Sequence, residues 1–448
     1  MFVEQSAERI RMVRTLFVLA GLIPCAVLAG AAVWRHSGGH AEAIERECET
    51  LLGLPLEIGG VEHLRPGAMR LAKVELLSPD GAAIIALQKV DVETSATEVR
   101  LTVPRLECTP RAAAAFAGLA GDWLSQPQRF PAAVVVDVGE LVWGAGAADA
   151  GGRGLRVECV ASDGVRAVRA RREPETSEEL RVLSTVAAER AGASGSQPDS
   201  PASRRIEVHC AVEEPLPAAI VAAVAGIPEA AGRAIGADAR IRGHVDAVMQ
   251  DGRWTGDCDG LVERIDLASC TARAAHRLAG EATVSIPRFR IEAGRLADCQ
   301  LDCSATAGRL GQDFLDAAVR TLGCRAGPAY RSLAYDPLRS FDSLAFSLRI
   351  DGDGMLLRAP GDRGAALIQA HGIAILEEPS GTVPTERLAW LFSPPGRAAV
   401  PASDVSAWLI SRLPVSAAKP AGTRTAAGGQ PVRSLPAAGG KAGVPGEF

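Results

Sequence analysis

The chain has no asparagine, only two tyrosines and six tryptophans, and aromatics make up 4% of its 448 residues. Without asparagine there is no N-glycosylation acceptor. With so few rings, platforms on which bases or sugars could stack are scarce. An excess of positive charge is lacking as well: the formal net charge is -5 and the isoelectric point is near 5.9. That removes the electrostatic footprint on which nucleic-acid binding depends.

Catalytic and cofactor signatures are equally scarce. There is no H-E-x-x-H, no G-x-S-x-G, no phosphate-binding loop and no G-x-G-x-x-G after a strand, so no motif-borne chemistry is legible. The seven histidines are dispersed. Only His36 and His40 are close, in a Gly-containing hinge, where a solvated loop is a simpler account than a metal site. Asp351 and Asp353 with their glycines begin like a calcium loop but lack the later ligands and the closing Glu, and read as a turn. Carboxylate pairs such as Glu45 with Glu49 and Glu178 with Glu179 read as solvated helix faces. The expectation is a non-enzymatic chain with no cofactor and no metal.

What is present is small and aliphatic. Hydrophobic residues make up 47%, mostly Ala, Val, Leu and Ile, and the length suffices for two ordinary domains or one elongated one. Only residues 15–34 (TLFVLAGLIPCAVLAGAAVW) form a long apolar run, close to the roughly 20 residues that span a bilayer. Arg9, Arg11 and Arg14 precede it, which favours a cytoplasmic N-terminus and an exported body. Pro24 should kink the segment. A cleaved signal peptide, cut among the small residues 29–32, is the competing reading.

Beyond the apolar run, residues 40–52 read as a helix ended by Gly53, and residues 54–106 as short strands punctuated by Pro66-Gly67 and Asp80-Gly81. An Ala-rich helix over 111–124 and a strand over 132–143 follow, then a hairpin split by Asp163-Gly164. Thr176 and Glu179 match a capping box and predict a helix to about Arg190. A linker over 191–204 divides an N-terminal part, 36–190, from a C-terminal part, 205–413. Strands dominate that second part, with helices over 216–235, broken at Pro228, over 312–322 and from Ser403 to Leu413. The two last strands cover 344–350 and 365–376. Residues 414–448 read as disordered, and residues 1–35 as a cytoplasmic tip and anchor.

Of the ten cysteines, Cys159, Cys210, Cys299 and Cys303 share alternating strand faces with Val, Leu and Ala, where a thiol behaves as a small hydrophobe. Disulfides are allowed in an exported body, and zinc is a weaker alternative. Residues 70–76 (RLAKVEL) echo residues 295–301 (RLADCQL), as a repeated strand unit would.

The order of anchor, short helix and LGLPLEIGGVEHLRPGAMRLAKVELLSPDGAAIIALQKVDVE over residues 52–93 resembles the start of bacterial AsmA-like and TamB-like envelope proteins, and the Gly-bounded strands of 241–308 are similar to that family's C-terminal part. The resemblance implies a mainly β fold with peripheral helices (α+β): a transmembrane helix followed by an elongated, curved antiparallel β-groove. It implies an inner-membrane, periplasm-facing protein that binds or guides acyl chains of membrane lipid in envelope and outer-membrane homeostasis. Residues 15–34 would hold the membrane, and another envelope protein is a candidate partner. Leu71, Val74, Leu76, Ile85, Val135, Val208, Leu296 and Leu301 are the expected groove-lining side chains. A membrane-tethered assembly scaffold with no ligand is the alternative, and an exported hydrolase a more distant one.

Overall fold

The structure, a computed structural model, describes residues 7–35, 37–126, 133–144, 154–162, 165–173, 179–186, 204–272, 276–331, 338–361 and 364–391. Its N-terminus is one helical rod of α1 (Ala7–Phe17), a π-helical stretch (Val18–Leu22) and α2 (Ile23–Arg35). The part from Arg11 to Arg35 is long and apolar enough to cross a membrane, and its most apolar 18-residue window has mean hydropathy 2.5 with none of it buried in the protein. The π stretch ends two residues before Pro24, whose ring would crowd the carbonyl of Ala20 within that stretch; the wider turn relieves that contact.

The rest is one large open sheet of nineteen strands. From β1 to β13 the strands pair in chain order: β1 (Leu56–Arg65), β2 (Ala68–Leu77), β3 (Ala83–Thr94), β4 (Glu98–Cys108), β5 (Ala133–Trp143), β6 (Gly154–Ser162), β7 (Val165–Glu173), β8 (Glu179–Val186), β9 (Arg204–Pro217), β10 (Arg240–Gln250), β11 (Arg253–Asp266), β12 (Leu278–Glu292) and β13 (Arg295–Gly311). All these pairs are antiparallel except β4 with β5. Those two are parallel because the chain returns through α4 (Pro110–Ser125), capped by the Thr109 side chain, before starting β5. Past β13 the sheet continues through β15 (Leu338–Phe341), β16 (Ser343–Asp351) and β17 (Gly354–Arg358), and then β18 (Ala366–Ala370), β19 (Ile373–Glu377) and the two-residue β14 (Arg325–Ala326).

Turn chemistry sets the strand ends. Asp251-Gly252, Ala293-Gly294 and His371-Gly372 each hold two consecutive positive φ angles, the backbone of a two-residue hairpin. The register puts α4, α5 (Ala218–Val224), α6 (Glu229–Ala234), α7 (Leu267–Thr271) and α8 (Gln312–Ala317) at one end of the strands. The hairpins at 66–67, 251–252 and 293–294 lie at the other. The two echoed segments fall in β2 and β13 and bury the same positions, Leu71 and Val74 in one and Leu296 and Cys299 in the other.

Three expectations change. Glu179–Val186 is a strand, not the predicted helix; Leu180, Val182 and Ser184 alternate with Arg181 and Leu183, and pairing with both β7 and β9 outweighs a local capping pattern. Residues 365–376 form two strands, since His371-Gly372 turns the chain. β17 intervenes where a short extension was expected. The helix from Ser403 to Leu413, the tail and nearly all of the linker lie outside the described residues, but β8 and β9 on either side of the linker pair in register.

Candidate functional site: an apolar trough across the strands

Alternation gives the sheet two unlike faces. On one, cross-strand partners form an apolar row from Met69 to Val92, Leu101, Val136, Val157 and Ala170. The same row continues through Leu180, Cys210, Val245, Cys258, Phe289 and Cys299. A parallel row runs Val182, Val208, Ala247, Gly256, Ile291, Leu296. On the opposite face the neighbouring row reads Glu158, Arg169, Arg181, His209, Asp246, Asp257, Arg290, Asp298. Ion pairs such as Arg156 with Glu158 at 2.8 Å and Arg288 with Asp298 at 3.4 Å lace that charged face.

Helices pack on the apolar face most extensively towards its two ends, and the short α5 and α7 also sit against β9–β12 where the chain leaves those strands. At the N-terminal end, Ile44, Cys48 and Leu52 of α3 (Gly38–Leu52) and Ala112 and Ala113 of α4 join Ile220 of α5 over β1–β5. The last turn of α4 reaches further, setting Trp123 and Leu124 on Val168 and against Val157, Cys159 and Val182. Arg166 stacks its guanidinium 4.6 Å from the Trp123 ring centroid and donates to the Trp123 carbonyl; burial there lowers its pKa. At the other end, Leu315 of α8, Leu322 of the following π turn and Leu391 of α9 (Glu386–Leu391) cover Cys299, Ala305, Leu348 and Ile350. Ile265 on β11 still belongs to the C-terminal core, but further along β9–β11 the side chains of Val208, Cys210, Ala247 and Cys258 are only half-buried, and Val245 among them is 38% exposed. A partly uncovered apolar surface of this kind is a candidate binding site.

The eight expected lining residues divide. Leu71, Val74, Leu76 and Ile85 lie in the closed N-terminal core, and Leu296 and Leu301 belong to the C-terminal core. Val135 alternates onto the charged face, opposite Glu158. Val208 alone lies in the open floor, half-buried. Cys210 lies on the apolar face of β9 expected for it, but Leu180, Val245, Ala247 and Cys258 were not foreseen: β8 read as a helix, and β10–β11 interleave these side chains with glycines and charges that blur the alternation. Cross-strand pairing is the signal that brings them together.

The sheet edge at β1 is closed by α3, which lies along it. Glu45 accepts from the Ile58 amide at 2.7 Å, Glu49 from the Leu56 amide at 3.2 Å, and His40 and His63 share a 2.8 Å hydrogen bond between their Nε2 atoms. These carboxylates are therefore not a merely solvated face, nor is His40 in a solvated loop: they occupy an edge that would otherwise recruit a foreign strand. All ten cysteines are free. Burial pushes the thiols of Cys159, Cys258, Cys299 and Cys303 up to about 11, so they behave as small hydrophobes. Among the described residues no three His, Cys, Asp or Glu side chains converge on a metal position. A depression of about 430 Å³ lies on β12, β13 and β16, where Thr283, Ser285, Asp302 and Ser347 meet Ala345, Phe346 and Pro360, outside the β9–β11 floor.

Fold and site together define a class: an open β-trough walled by its own helices and preceded by a helix of membrane-spanning length. No protein-family model, curated protein or solved structure matches the chain.

Proposed function

We propose that this is a single-pass membrane protein whose trough binds acyl chains of lipid on the periplasmic side of an inner membrane, in the service of envelope lipid homeostasis. The observation that carries the reading is the half-exposed apolar patch around Val208, Val245 and Ala247 between the two buried cores of the same face. Burial of one acyl chain gains about 0.8 kcal/mol per methylene, so a floor of Val, Ala, Cys and Gly beside a bilayer should retain lipid. The sheet is short for a conduit across a whole envelope, which suits holding lipid better than spanning two membranes.

Native mass spectrometry of the full chain, extracted in mild detergent, should find co-purifying lipid. Val208→Asp should lower its occupancy at least tenfold, because an unpaired carboxylate would face the chain, while circular dichroism stays unchanged. Leu301 is a poorer probe, since it packs on the C-terminal core. Absence of lipid from the wild type would return the protein to the scaffold reading; full lipid in Val208→Asp would move the site elsewhere.

Orientation follows from Arg9, Arg11 and Arg14 before the apolar helix. A reporter active only in the cytoplasm, fused after Phe448, should be silent, and strong signal would reverse the topology.

A further inference from the structure

Along α3, His40, Ile44, Cys48 and Leu52 recur at four-residue intervals and so form one stripe of the helix. The last three join the N-terminal core. At the first, where the stripe runs on towards the 66–67 hairpin, a histidine stands in place of an aliphatic side chain. His63 of β1 faces it, and the cross-strand partner of His63 on β2 is Met69, on the same side of the sheet. The two imidazoles stack with centroids 5.1 Å apart and bring their Nε2 atoms to 2.8 Å. Trp34, at the end of the apolar helix, packs on His40 with 4.5 Å between ring centroids. Two imidazoles and a thioether side chain are thus neighbours at one corner of the sheet, all three half-buried.

We propose that His40 and His63 bind one copper(II) ion between their Nε2 atoms, with Met69 as a weak axial ligand. Both Nε2 atoms point at one place, where one ring now donates a proton to the other; an ion can take that proton's position. The Nδ1 of His40 is buried with no hydrogen-bond partner, so Nε2 is the nitrogen by which this ring is held. Imidazole together with a thioether is a copper donor set. Zinc prefers thiolate, imidazole and carboxylate, and no third His, Cys, Asp or Glu joins the pair among the described residues. The spacing agrees: two nitrogens about 2.0 Å from one ion and at a right angle, as on tetragonal copper(II), are about 2.8 Å apart, whereas a tetrahedral zinc ion holds them about 3.3 Å apart. The ion would pin α3 to the β1 edge beside the apolar helix. That corner lies apart from the β9–β11 floor, so the site neither needs nor tests acyl binding.

The test is titration of copper(II) into the full-length protein in detergent at neutral pH, carrying Cys25→Ser to remove the exposed thiol. Equilibrium dialysis with metal analysis should find one copper per chain, and electron paramagnetic resonance should show coupling to two imidazole nitrogens. The paramagnetic ion should quench Trp34, and Trp34→Phe should remove most of that quenching. His40→Gln and His63→Gln can each keep a hydrogen bond across the pair but not the metal; since losing an outer-shell partner alone costs about 10- to 100-fold in affinity, each should weaken copper binding at least about a hundredfold, with circular dichroism unchanged. Met69→Leu should weaken binding and leave the two-nitrogen spectrum intact; unchanged affinity would strike Met69 from the ligand set. Wild-type protein that takes up no copper, or shows no nitrogen coupling, overturns the site, as does either Gln variant binding like wild type. Zinc bound as tightly as copper overturns the choice of metal. If the Gln variants do not fold, the wild-type nitrogen coupling and the Trp34→Phe quenching decide alone.

Discussion

Gly243→Ala should cost about 3–5 kcal/mol, enough to remove most of the stability of an ordinary domain. Gly243 on β10 faces Gly260 on β11. A β-carbon there would sit 2.2 Å from the Asp259 carbonyl oxygen and 2.6 Å from the Gly260 α-carbon, at a φ of +152° that side chains rarely adopt. Those atoms are backbone of the neighbouring strand, so relief means separating β10 from β11. These two strands carry Val245, Ala247, Gly256 and Cys258, and the floor depends on their pairing. Gly252→Ala is the matched control: its φ is +74°, yet nothing lies within 4 Å of an added β-carbon, so only local strain of about 1 kcal/mol is expected. Urea titrations in detergent should show a large midpoint shift for Gly243→Ala and a small one for Gly252→Ala. Equal shifts would mean that the strands are not held at this close approach.

That contrast also explains what could be read in the chain beforehand. Pro66-Gly67 and Asp80-Gly81 announce turns because local φ requirements are written in local residues, and the turns are there. The alternation around Cys210 in β9 and the Ala-rich run of α4 are local in the same sense, and both elements form. Thr176 with Glu179 misled because a capping signature is weak beside two flanking strands that need a partner between them. The parallel pairing of β4 with β5 has no local mark at all. The site was less legible still. Alternation says that Leu71 and Val208 each point to an apolar face, but not that α3 and α4 roof the first and leave the second bare. Nor does it separate Val135 from Val136, neighbours on opposite faces. Gly243 and Gly256 looked like interruptions of a strand pattern; in three dimensions they are what lets two strands close up.

Raising the pH from 9 to 11 should unfold the protein cooperatively, and the same apolar faces are the cause. Burial pushes Cys108, Cys159, Cys258, Cys270, Cys299 and Cys303 from 9.0 up to about 11. Each of these acids has a higher pKa folded than unfolded. As pH rises past 9 the unfolded chain releases its thiol protons first, and that release pulls the equilibrium towards unfolding. The contribution is complete below about pH 9 and is eroded up to about pH 11. Two units correspond to at most about 2.7 kcal/mol per thiol. Halving that for partial solvation still leaves roughly 8 kcal/mol over six thiols, comparable with the whole stability of a domain. Tryptophan fluorescence and circular dichroism, followed in detergent with a phosphine reductant present, should show one transition in this window. Changing all six cysteines to alanine should move it upward despite the lost packing. A protein that keeps its spectrum to pH 11 would show that these thiols are not under apolar cover. Cys258 adds a link to function, because it sits in the half-buried floor beside Val245, where a bound chain would add to the cover the protein already gives it. Lipid-loaded protein should therefore hold its fold to higher pH than delipidated protein, and Cys258→Ala should shrink that difference while leaving the rest of the transition in place.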